Sequence, residues 1–275
     1  MELSDSVLDY LRHVVALPDL SGTRYELESE IGRGGMGVVY AARDRELDRP
    51  VALKVLEVPL VGEPQLIARL EHPAVVPIYE TGTLPDGRTF YAMKLVTGAR
   101  LDRYIAGSPS ISERLRVIRR VGEALAFAHT RGVIHRDLKP QNVMVGQFGE
   151  VYVMDWGVEA VAGTPAFRAP DIQLDRRSDV YALGALLRSV LPGNASRALR
   201  AIAAKAMSAA ADSRYSDVPT FLADLDRFEQ GQAVEAWSEP WWHRLRRFGE
   251  RNAVLLWLMA AYVAVKFFLF FLRKP

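Results

Sequence analysis

Val133-Ile134-His135-Arg136-Asp137-Leu138-Lys139-Pro140-Gln141-Asn142-Val143-Met144-Val145 holds a histidine, three charged residues and the amide of Asn142 within eight positions, between two apolar pairs. Polar turns clamped by β-branched residues position chemistry on a rigid scaffold. Working outward from this stretch, the question is which other parts of the chain could meet it.

Composition narrows the answer. A chain of 275 residues accommodates one large domain or two lobes around a cleft. Apolar residues at 49% and charged residues at 25% are globular values. The net charge of +2 gives no support to nucleic acid as a partner. With no cysteine, disulfides, zinc–thiolate sites and thiol catalysis are excluded.

Upstream, Tyr25 to Ile31 alternates and runs into Gly32-Arg33-Gly34-Gly35-Met36-Gly37-Val38-Val39. In a dinucleotide fold such glycines open a helix. Here β-branched and aromatic residues follow, then a second strand at Pro50 to Leu56, so the pattern is strand, glycine turn, strand. Glycine suits a turn whose amides must approach phosphate without an intervening Cβ. The second strand carries Val51-Ala52-Leu53-Lys54. Downstream, Val151-Tyr152-Val153-Met154-Asp155-Trp156-Gly157 places an aspartate thirteen positions after Asn142.

Together these motifs resemble the protein kinase signature set: the glycine-rich loop, V-A-I-K, H-R-D-L-x-x-x-N and D-F-G with Trp156 for phenylalanine. The likeness is to the bacterial Hanks-type Ser/Thr branch and covers Tyr25 to about Phe228. It implies an α+β, two-lobed kinase-like fold, with an N-lobe at 25–96 and a helical C-lobe at 97–228. It implies an ATP- and Mg²⁺-dependent transferase. Ile31 to Val39, Ala52, Lys54 and Met93 would line the nucleotide site, with Lys94-Leu95-Val96 as the hinge. Asn142 and Asp155 would hold the metal, Asp137 would take the substrate hydroxyl's proton, and Lys139 would neutralise charge in the transition state. His135 is structural on this reading, and His129 packs or caps. Asp179 would anchor the catalytic loop.

Three departures mark this chain. Glu63, the candidate partner of Lys54, comes nine positions after it and just before Pro64, so it would stand at the start of a shortened helix. Only Val158 to Ala162 separate Gly157 from Gly163-Thr164-Pro165, and none of the five has a hydroxyl. Activation-loop phosphorylation within that interval is therefore impossible. Asp171 replaces the usual glutamate, with Arg214 as its expected partner. Leu191 to Asn194 leads almost directly into the helix expected at Arg197 to Met207, which removes the helix that commonly grips protein substrates.

Around the two lobes, the pattern predicts an amphipathic helix within 1–20, a juxtamembrane linker at 229–252 and a transmembrane helix at 253–272. Ala253 to Leu272 is twenty residues with one charge, Lys266, enough to span a bilayer of ~30 Å hydrocarbon. His243, Arg244, Arg246, Arg247 and Arg251, with Trp237, Trp241 and Trp242, suit a cytoplasm-facing flank. The expectation is a single-pass inner-membrane protein with a cytoplasmic kinase domain, its partners ATP, a protein hydroxyl and lipid. The alternative is a weakly active or inactive nucleotide-binding scaffold at the membrane. The deletions favour the scaffold; the intact Lys54, Asp137, Asn142 and Asp155 favour the enzyme.

Overall fold

The computed structural model describes residues 17–34, 37–57, 69–156, 165–170 and 175–238, with short stretches at 257–259, 261–262 and 265–266. Gly35, Met36, Glu63, Gly157 to Thr164, Asp171 and the helix expected before position 17 lie outside the described residues.

The alternation read in the first lobe becomes one antiparallel sheet. It is built from β1 (Tyr25–Gly34), β2 (Gly37–Asp44), β3 (Arg49–Leu56), β4 (Ile78–Thr83) and β5 (Thr89–Lys94), in the order β1-β2-β3-β5-β4. Side chains on a strand alternate between faces. Val51, Leu53 and Val55 therefore enter a core with Tyr25, Val38, Tyr40 and Phe90, while Ala52 and Leu56 turn to the opposite face with Met93 and Tyr91. Lys54, in register with Tyr91, belongs to this second set, which looks into the cleft. The register thus aims the lysine, and a one-residue slip would point it into the apolar core.

Sequence alternation over Val75 to Glu80 suggests a longer strand than exists. β4 begins only at Ile78, because Val75 bridges in parallel to Val153 of the other lobe and Val153 donates its N–H to Ala74 O at 2.8 Å. Pro77, lacking an N–H, contributes its carbonyl to Lys94 N at 3.1 Å.

The second lobe opens with β6 (Gly98–Arg100) and α1 (Leu101–Ala106) and continues through α2 (Ile111–Thr130). Ser110 and Glu113 form a reciprocal cap, and Leu115, Ile118, Val121 and Leu125 bury one stripe of α2. β7 (Val143–Gly146) and β8 (Val151–Val153) join β6 in a three-stranded sheet of order β6-β7-β8 under the cleft. α3 (Arg176–Val190) is buried on most sides between Ser178 and Leu187 and runs through the middle of the lobe, covered by α4 (Arg197–Ala206) and α5 (Val218–Glu229). The α3–α4 approach depends on Gly184, where a Cβ would stand 2.5 Å from Ala206 Cβ.

The domain continues past α5. Val234 is buried, Ala236 and Trp237 pack on the core, and the fully buried Asp224 accepts the N–H groups of Glu235 (2.6 Å) and Ala236 (3.0 Å). Residues read as the beginning of a linker are thus clipped to the lobe through position 237.

No helix among the described residues is long and apolar enough to cross a membrane. The predicted span at 253–272 lies mostly outside the described residues. Its described pieces are helical, and Trp257, Leu258, Met259, Tyr262 and Val265 are exposed.

Candidate active site

The catalytic-loop stretch turns sharply after Val133 and is held from below. Asp179, near the start of α3, accepts the His135 N–H at 2.8 Å and the Arg136 N–H at 3.0 Å. The same carboxylate meets His129 Nε2 at 2.7 Å, so His129 braces the anchor, in keeping with the packing role its position suggests. These bonds hold Arg136 at φ +69°, a left-handed conformation costly for a residue with a Cβ. The reversal lifts Asp137 toward the cleft.

His135 is fully buried. Its ring lies 4.8 Å from that of Trp156, and its Nε2 is 3.0 Å from Met154 O. A carbonyl only accepts, so Nε2 carries the proton and Nδ1 is the acceptor facing Asp137 N. Burial pushes this imidazole below its ordinary value, which keeps it neutral. Trp156, also buried, donates its indole N–H to Val153 O at 2.9 Å. The larger ring therefore fulfils the anchoring role that its motif position implies, with a polar tether phenylalanine lacks.

Around Asp137, Lys139 Nζ donates to Oδ2 at 2.6 Å, and Asn142 Nδ2 donates to the Asp137 carbonyl at 2.8 Å and to Oδ2 at 3.2 Å. The amide nitrogen of Asn142 is thereby committed to the loop, which leaves its oxygen as the donor available to a cation. Across the site, Lys54 Nζ donates to Asp155 Oδ1 at 2.9 Å. Partial burial disfavours charge on Asp155, but Lys54, with smaller help from Lys139, outweighs it and holds the carboxyl below its ordinary range. Asp155 too is left-handed, at φ +57°.

One carboxylate and one amide oxygen are too few for a cation held by protein alone, and no cluster of three or more ligating side chains occurs among the described residues. They suit Mg²⁺, which keeps water and shares phosphate oxygens while using one or two protein ligands. The donor set fits that ion.

Val39, Ala52, Val76, Ile78, Tyr91, Met93, Leu95, Val96 and Met154 form an apolar wall beside Asp155, the surroundings that a planar base requires. Above it, Gly32, Arg33, Gly34, Val38 and Val39 stand on the β1–β2 hairpin, with Ile31 exposed at its edge. Gly37 has φ +150°, and a Cβ there would lie 2.1 Å from Val55 O, so glycine is obligatory at this turn. Glu63 lies outside the described residues.

Two features carried no sequence signal. A Cβ at Gly32 would stand 3.6 Å from the guanidinium of Arg100, so that arginine reaches from the start of α1 to the glycine strand across the cleft mouth. Lys94 closes β5 at the expected hinge. Its side chain donates to the Tyr152 hydroxyl and lies 4.7 Å over that ring, joining the hinge to the C-lobe. A lysine at the end of β5 and a tyrosine three positions before Asp155 have no visible connection until the fold pairs them.

This geometry agrees with comparison to known proteins. The protein kinase domain family matches residues 25–210. The chain belongs to the protein kinase family. Among its relatives, Serine/threonine-protein kinase PknB of Mycolicibacterium smegmatis is 32% identical, over 80% of this chain and 45% of that protein. Serine/threonine-protein kinase pkn3 of Myxococcus xanthus is 35% identical, over 62% and 38%. The chain thus spans less than half the length of these relatives. The PknI kinase domain of Mycobacterium tuberculosis shares the fold at a TM-score of 0.61 and 24% identity, covering 76% of this chain and 96% of that one. Kinases of this family use ATP and Mg²⁺, and the oxygen donors at Asn142 and Asp155 are where this kinase domain would hold the metal.

Proposed function

We propose that this protein is a membrane-tethered Ser/Thr protein kinase that transfers the ATP γ-phosphate to a protein hydroxyl. The observation that carries the reading is the convergence of Lys54, Asp137, Lys139, Asn142 and Asp155 on one cleft, each in a hydrogen bond that orients it. Phosphoryl transfer asks chiefly for positioning and charge neutralisation. Asp137 accepts the hydroxyl proton, and Lys139, 2.6 Å from it, supplies positive charge beside the reacting groups. Lys54 is placed to hold the phosphates, the apolar wall at Ala52 and Met93 takes the base, and a bound magnesium ion would neutralise phosphate charge. Lys139 two positions after Asp137 is the Ser/Thr-type choice rather than the tyrosine-type one.

The tether is proposed from the apolar run Ala253 to Leu272 and its basic flank. The exposure of Trp257, at 77%, and of Leu258, Met259, Tyr262 and Val265 supports lipid as what covers these described apolar residues. The kinase domain would then face the cytoplasm from an inner membrane, with Lys266 snorkelling to the interface. Because Val158 to Ala162 lack hydroxyls, catalysis needs no phosphate in that interval.

The test is incorporation of labelled γ-phosphate into casein by the detergent-purified full chain with ATP and Mg²⁺, together with alkaline extraction of expressing membranes. Transfer to serine or threonine and retention in the extracted membrane are expected. Absence of transfer overturns the enzyme, and release into the wash overturns the tether.

A further inference from the structure

The short link between α3 and α4 does more than delete a helix. It leaves a groove of about 560 Å³ between them, lined by Tyr181, Arg188, Leu191, Pro192, Arg200 and Met207. The apolar members are half-buried and form the floor, while Arg188 and Arg200 stand exposed at the rim. No acidic side chain lines the groove among the described residues. Arg200 spends one guanidinium nitrogen on Gly193 O, which fixes its direction and leaves the rest of its fork available.

We propose that this groove docks a short segment of the protein substrate in which carboxylates flank an apolar side chain. The inference rests on the kinase reading and names the substrate class for it. Charge complementarity selects the occupant. Two guanidinium groups with no facing carboxylate attract acids, and a planar fork binds a carboxylate through paired hydrogen bonds. Between them, Leu191, Pro192, Met207 and the Tyr181 ring offer an apolar floor that gains from burying a leucine or similar side chain.

The groove lies on the face that the short link from Leu191 to Ser196 leaves uncovered between α3 and α4. A substrate held here has its acceptor hydroxyl free for the cleft. A flexible connection of about 15 residues has an r.m.s. reach of roughly 20 Å, so docking raises the acceptor's local concentration without new contacts at Asp137.

The experiment uses the full chain in detergent and a fluorescein-labelled peptide of about seven residues alternating glutamate and leucine. Fluorescence anisotropy should show saturable, salt-sensitive binding that weakens about tenfold in Arg188→Glu and less in Arg188→Lys. It should weaken similarly when the peptide's leucines become serines, and fail when its glutamates become lysines. Unchanged thermal midpoints establish that the variants fold. The same peptide joined by a glycine–serine linker to a threonine acceptor should be phosphorylated with a KM about tenfold below that of the acceptor alone, an advantage Arg188→Glu removes. Peptide binding without phosphoryl transfer leaves the groove assignment standing and removes the kinase reading. Transfer with no binding difference between the wild type and Arg188→Glu overturns the groove alone. Conversion of a dimer to a monomer by Arg188→Glu in sedimentation assigns the face to a second copy and overturns the proposal.

Discussion

Asp179 Oδ2 accepts the main-chain N–H of His135 at 2.8 Å, so a helix buried in the C-lobe fixes the loop that carries Asp137, the proposed catalytic base. The companion bond to Arg136 N at 3.0 Å holds that residue left-handed. Local sequence alone would not choose this backbone; the buried carboxylate imposes it.

Replacing Asp179 with alanine should therefore damage both stability and chemistry. The buried His135 N–H, the part-buried Arg136 N–H and His129 lose their acceptor, at about 1–3 kcal/mol for each buried group left unsatisfied. A total near 3 kcal/mol would lower Tm by roughly 6–12 °C in a domain of this size. Calorimetry reads the first effect. Transfer at a temperature where the variant remains folded reads the second, and should also fall as Asp137 loses its position.

Two glycines of the same loop should behave differently. Gly37→Ala forces a Cβ to within 2.1 Å of Val55 O at φ +150° and should cost about 1–3 kcal/mol. At Gly34 an added methyl group would meet nothing within 4 Å, so Gly34→Ala should keep its midpoint within about 0.5 kcal/mol while raising the KM for ATP. Equal midpoints for the two variants would contradict the turn geometry.

Stability should decline on mild acidification because of His135. Its folded pKa lies below the unfolded value of about 6.5, so between the two the unfolded chain binds one proton more. Stability is then fully present above about pH 6.5 and falls by up to about 1.4 kcal/mol per pH unit below it. His135→Gln, which can still donate toward Met154 O, should flatten that slope in urea titrations at pH 7.0 and 5.5. An unchanged slope would place the missing proton elsewhere.

Asp224 should decide where the domain ends. Asp224→Ala leaves the N–H groups of Glu235 and Ala236 and the Tyr215 hydroxyl unpaired, and should expose the segment from 230 to 238 to protease. If cleavage there is no faster than in the wild type, the segment is held by Val234 and Trp237 alone.

The site was legible because its residues lie in short motifs whose spacing is fixed by the strands and turns carrying them. Lys54 follows from a two-residue period, and Asn142 and Asp155 from strands β7 and β8 that pair side by side. What escaped has no period. Asp224 meets amides eleven and twelve residues away, so 229–238 reads as linker until the fold closes it. Val75 looks like sheet but bonds to the other lobe. Arg100 and the Lys94–Tyr152 pair depend on the approach of the two lobes, which no local pattern encodes. Likewise, the short link after Leu191 is visible in sequence, whereas the groove beside it exists only in three dimensions.

The central claim is that Asp137 performs chemistry and does not merely survive in a nucleotide-binding scaffold. The most direct measurement is single-turnover transfer of labelled γ-phosphate by the full chain and by Asp137→Asn, with nucleotide affinity measured in parallel. The substitution keeps shape and leaves the Asn142 bond to the residue-137 carbonyl in place, while removing the proton acceptor. Transfer should fall by about 10²-fold or more with nucleotide affinity little changed. Equal transfer by the two proteins, or none by either, would contradict the account.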